Sequence, residues 1–124
     1  MKTVLEVIEA VDAGFDSPEK WTKGYYAKDK FGYRCMETSS QAVCHCLVGK
    51  VIALTEDSAA CRPGIANDIG KQTLDFITST LRAKDMLPCN GDGFQRYTSS
   101  WNDMPERTFQ DIKNFLQDLK AAAK

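Results

Sequence analysis

Apolar residues recur at helical spacing along much of this chain, most densely in Ser39–Glu56. There Val43, Cys44, Cys46, Leu47, Val48, Val51, Ile52, Ala53 and Leu54 point in most directions around a helical axis. Only Gln41, His45 and Gly49 make a polar or small strip. The pattern predicts a central helix over residues 39–56, capped by Ser39 or Ser40, because a serine oxygen accepts from first-turn amides. A helix apolar nearly all round must be covered by the rest of the domain. This one is too short and too often interrupted to span a membrane.

Three further stripes surround it. Val4, Val7, Ile8 and Val11 share a face and predict a helix over about residues 2–13, stopped at Gly14. Gly70, Thr73, Leu74, Ile77 and Leu81 predict a second over 68–83, capped by Asn67 or Asp68. Phe109, Ile112, Leu116 and Leu119, widened by Phe115, predict the last. Thr108 and Asp111 stand at capping-box spacing at its start. Glu56–Gly64 and Asp85–Ser100 carry Pro, Asn-Gly and Asp-Gly breakers and are expected as loops, the second anchored by Phe94 or Tyr97.

Residues 15–35 follow a different pattern. Pro18 after Ser17 suits a short helical turn leading to Trp21. Tyr25, Tyr26, Phe31 and Tyr33 favour strands, and Asp29–Gly32 can turn between Tyr25–Lys28 and Tyr33–Cys35. A lone hairpin is marginal in water, so Trp21 and some of the tyrosines should lean on helices. The architecture expected is mainly α: a compact bundle of about four helices with a small β-hairpin between the first and second.

With 124 residues, one domain spanning 1–124 is the default. A hydrophobic share of 43% and a charged share of 27% suit a globular chain that needs neither disulfides nor metal. A net charge of -1 gives no global pull toward nucleic acid or anionic lipid. Glu6, Glu9 and Asp12 interrupt the N-terminal apolar residues, unlike a secretory signal, so a cytoplasmic location is expected. The five cysteines, Cys35, Cys44, Cys46, Cys61 and Cys89, are an odd set and read as reduced, packed thiols.

Candidate chemistry is sparse. Cys44-His45-Cys46 lacks the knuckle spacing of zinc sites, and consecutive helical residues diverge by roughly 100°. No metal and no cofactor are expected. His45, the single histidine, could activate a thiol, but no cysteine lies three or four residues from it. Asn102 reads as bonding a local turn and Asp103 as capping the Pro105 turn, beside an anchoring Trp101.

Lys20–Arg34 is the most suggestive stretch, interleaving cations with rings. Its candidate binding residues are Lys23, Tyr25, Tyr26, Lys28, Lys30, Tyr33 and Arg34. Such composition suits a protein hot spot or a base-stacking, phosphate-meeting surface. It also suits a solvated hairpin whose rings cover the core.

Several short motifs resemble a family of small bacterial and phage proteins of unknown function. They are Trp21-x-x-Gly24-x-x-Ala27-x-Asp29-x-x-Gly32, Ala42, Cys46-Leu47-x-Gly49, Trp101-Asn102-Asp103 and Thr108 before an amphipathic helix. The resemblance implies a compact, mostly helical fold and carries over no catalytic or binding residue. The glycines have structural readings: Gly24 and Gly32 allow unusual backbone angles, and Gly49 allows close approach to the central helix. The expected function is a small non-catalytic binding module with a protein partner and no membrane partner. The resemblance admits a phage-type inhibitor that occludes a host complex. Alternatives are a thiol-dependent enzyme pairing His45 with a cysteine, and a nucleic-acid-binding module using Lys20–Arg34.

Overall fold

Thr3 starts the first helix by accepting the Glu6 amide at 3.1 Å, and α1 runs Val4–Gly14. The computed structural model describes residues 3–55, 69–84 and 94–124, the side chains of 94–97 excepted. A 3-10 turn at Pro18–Lys20 follows, then β1 (Ala27–Asp29), β2 (Ala42–His45) and α2 (Leu47–Thr55). The chain continues with α3 (Ile69–Ala83), α4 (Phe94–Asp103) and α5 (Phe109–Ala123). The fold is mainly helical, with a small antiparallel hairpin between α1 and α2.

The helices share one apolar cluster. Val7, Ile8 and Val11 of α1 meet Leu47, Val48, Val51 and Ile52 of α2. Leu74, Ile77 and Leu81 of α3 and Ile112, Phe115, Leu116 and Leu119 of α5 complete it. Trp101 of α4 is fully buried there, its ring 4.8 Å from that of Phe115. The capping box closes the start of α5: Thr108 accepts the Asp111 amide at 3.1 Å and returns its own amide to the Asp111 carboxylate at 2.9 Å. A polar clamp joins α1 to α5. The Asp12 carboxylate holds the ammonium groups of both Lys113 and Lys120. Lys113 also donates to the carbonyls of Asp12 (2.9 Å) and Phe15 (3.1 Å). Burial alone would raise the Asp12 pKa, but the two lysines outweigh it and hold the carboxyl below its usual range.

The central element differs from the expected 39–56 helix. Ala42–His45 is a strand, and the helix starts only at Leu47. The Cys46 sulfur accepts the Gly49 amide at 3.3 Å, and Asn102 Oδ1 accepts the Leu47 amide at 3.1 Å. Those two bonds satisfy orphan donors of the first turn and set the boundary there. α4 also corrects the sequence reading: it runs 94–103, and its residues 94–100 fall in the stretch 85–100 expected as loop. The expected caps Asn67 and Asp68, the 56–64 loop, Cys61 and Cys89 lie outside the described residues.

Candidate binding surface

The flap between α1 and α2 is built on β1. Its register with β2 is Ala27↔His45, Lys28↔Cys44 and Asp29↔Ala42, which leaves Val43 as the extra, outward residue. The expected partner, Tyr33–Cys35, contributes a single bridge, Arg34 to Lys28, on the other side of β1. The turn between them forms as expected. The Asp29 carboxylate accepts the amides of Phe31 (2.9 Å) and Tyr33 (3.0 Å), and its carbonyl accepts that of Gly32 (3.0 Å). Gly32 takes φ 84°, a conformation that costs other residues a Cβ clash. This geometry turns Phe31 and Tyr33 into solvent, at 72% and 70% exposure.

Asn102 fixes the root of the flap. It is fully buried, and Oδ1 accepts from Trp21 Nε1 at 2.7 Å as well as from Leu47. Its Nδ2 donates to the Thr22 carbonyl (3.1 Å) and to Asp103 Oδ1 (2.9 Å). Asp103 Oδ1 in turn accepts the Gly24 amide at 2.9 Å. Asn102 and Asp103 therefore bind the flap across about eighty residues of sequence, rather than a local turn or the Pro105 turn. Lys23 ties the same root down, donating to the carbonyls of Met104 (2.7 Å) and Pro105 (3.2 Å). Gly49 performs the close-approach role expected of it: a Cβ there would stand 1.9 Å from the Tyr26 carbonyl oxygen.

The seven sequence candidates thus divide. Tyr25, Lys28 and Arg34 come together: the Lys28 ammonium lies 4.8 Å and the Arg34 guanidinium 5.6 Å from the Tyr25 ring centroid. Lys30 lies 5.1 Å from the Phe31 ring at the turn, with Tyr33 exposed beside it. Lys23 and Tyr26 stand apart, Lys23 in the root and Tyr26 half-buried against the core. Phe31, Met36 and Val43 belong to the exposed apolar surface and were not among the candidates. Their signal was available in the sequence as large side chains on a flap too short to cover them.

Beyond Cys35 the two arms of the flap part. They open a cleft of about 680 Å³ between Gly24–Tyr26 and Arg34–Glu37, with Cys46, Ser99 and Asp103 in its wall. The Ser99 hydroxyl is buried in that wall without a hydrogen-bond partner among the described residues. His45 sits on β2, not on a helix; its Nε2 donates to the Glu37 carbonyl at 3.0 Å. Burial, the largest influence, pushes the His45 pKa down. Burial likewise pushes the Cys35 thiol up, helped by Asp29. Among the described residues no three His, Cys, Asp or Glu side chains converge as a metal site, and no helix is long and apolar enough to cross a membrane.

Residues 1–122 match the model of one protein family. The chain belongs to DUF6197, a family of unknown function. No curated protein and no solved structure matches it.

Proposed function

We propose that this chain is a small non-catalytic binding module that docks a protein partner through the flap. The observation that carries the reading is the exposure of Phe31, Tyr33 and Met36, at 72%, 70% and 63%, on a flap whose root is bonded rigidly to α4. Three large side chains left in water within six residues of one flap suit an interaction site. Tyr and Arg at such places dominate protein hot spots. A net charge of -1 supplies no general attraction to a phosphate backbone. That favours a protein partner over nucleic acid. For Cys35 the thiol-enzyme alternative finds less support, because burial lowers the His45 pKa and raises that of the Cys35 thiol, which opposes a thiolate–imidazolium pair. An occluding inhibitor of phage type is a form of the proposal that the motif resemblance admits, and the carboxylates that interrupt the N-terminal apolar residues suit action in the cytoplasm.

Site-specific photo-crosslinking tests it. A photoreactive phenylalanine placed at Tyr33 should yield a discrete protein adduct in the source cell. The same group at Glu9, exposed on α1, should not. Equal adducts from both positions, or adducts with nucleic acid alone, would reject the reading.

A further inference from the structure

The flap has an open strand edge as well as exposed rings. The Cys35 amide donates to the Ala27 carbonyl at 3.2 Å, and the Asp29 amide donates to the Tyr33 carbonyl at 2.8 Å. These two bonds bracket the Lys28–Arg34 bridge. In an antiparallel pair bracketed this way, the two central residues direct their own amide and carbonyl groups away from each other. Lys28 accordingly turns its groups to β2, where it pairs with Cys44. Arg34 must turn its amide and carbonyl to the opposite side, away from β1. Among the described residues neither group has a hydrogen-bond partner. The edge is short: the Met36 carbonyl accepts the Ser39 amide at 3.0 Å, and the chain bends away.

We propose that Arg34–Met36 accepts an extended acidic peptide segment of a partner protein as an added strand. The proposal rests on the flap being the docking surface and names the way it docks. Main-chain bonds to Arg34 would supply the register, and alternate side chains would meet Tyr33 and the mouth of the cleft. Charge selects the occupant. Lys28 and Arg34 beside the edge, with Lys30 at the adjoining turn, outnumber the nearby carboxylates of Asp29 and Glu37. The same cations oppose pairing with a second copy of this edge, as basic side chains on natural edge strands do. An acidic strand neutralises them; a basic one adds like charge to the face.

The test is a random dodecapeptide library displayed on phage and panned on the full chain. Enriched peptides should be rich in Asp and Glu. N-methylation of one set of alternate residues in such a peptide should weaken binding at least tenfold, and of the other set far less, because only one strand edge faces Arg34. Tyr33→Ala should weaken the same peptide. If neither N-methylated form loses affinity, side chains alone carry the contact: the strand addition fails and the flap reading stands. If no peptide is enriched, or enriched peptides bind Tyr33→Ala and Phe31→Ala unchanged, the flap reading fails with it. Enrichment of basic peptides would overturn the choice of occupant.

Discussion

Replacing Asn102 with alanine removes a buried amide that makes four hydrogen bonds, three of them to two distant segments. The cost can be assembled group by group. The Leu47 amide is buried at the start of α2 and would lose the oxygen that satisfies it. A buried donor left in that state costs about 1–3 kcal/mol. Trp21 Nε1 and the Thr22 carbonyl are in half-buried residues, so water can replace part of what they lose. They add about 0.5–1 kcal/mol each, the net worth of an ordinary hydrogen bond. Asn102→Ala should therefore lose about 3–4 kcal/mol of unfolding free energy, a fall of roughly 10 °C in Tm for a chain of this size. Asn102→Asp separates charge from shape. It keeps the accepting oxygen but sets a carboxylate where Nδ2 now lies 2.9 Å from Asp103 Oδ1. Its loss should exceed that of a neutral replacement near pH 7 and shrink as the solution is acidified. Urea titration followed by circular dichroism gives the free energies. Amide exchange at Gly24 and Leu47 shows whether the flap root opened. A loss under about 1 kcal/mol for Asn102→Ala, with both amides still protected, would refute the assignment of Asn102 as the anchor.

Two further perturbations address the scaffold. Gly49→Ala should destabilise by about 3 kcal/mol or more in a urea titration, although alanine is the better helix former by about 1 kcal/mol, because its Cβ would meet the Tyr26 carbonyl at 1.9 Å; a neutral or stabilising result would contradict the close approach. The Asp12 clamp has a folded-state pKa below its unfolded value, so its contribution is fully present above about pH 4 and lost as pH falls through the folded value. Asp12→Asn should cost about 2 kcal/mol at pH 7, and its free-energy difference from the wild type should vanish in acid; a difference constant with pH would refute the ionic origin.

α1, α3 and α5 were legible because each hides one apolar stripe against the core, and such stripes are local in sequence. The buried face of α4 escaped because it is partly polar. Among its described side chains the buried ones are Thr98, Trp101 and Asn102, and Thr98 shares a hydrogen bond with Thr78 at 2.8 Å. Periodicity that counts only apolar residues does not register such a face, and the Asn-Gly and Asp-Gly pairs before it favoured a loop. The 42–46 segment failed for another reason. A short apolar run suits a strand or a buried helix equally. What decides between them here is the long-range bonding of Asn102 and of Tyr26, whose carbonyl accepts the Cys46 amide at 3.3 Å. In the flap, the Asp29–Gly32 turn was readable from residue type. That Lys23 and Tyr26 would be taken up by the scaffold while Phe31 and Met36 stayed out depended on contacts with α2 and the end of α4.

On the proposed function, the exposed flap side chains Phe31, Tyr33 and Met36 serve recognition and contribute little to folding, in contrast to the flap root. The unfolding free energy of the triple variant Phe31→Ala, Tyr33→Ala, Met36→Ala tests it most directly. Exposed positions outside special contacts change stability by about 0.5 kcal/mol or less each, so the variant should fall within about 1.5 kcal/mol of the wild type, with an unchanged denaturant slope. A loss of about 4 kcal/mol or more, the scale of emptied core positions, would show that these side chains hold the fold together and would contradict the claim.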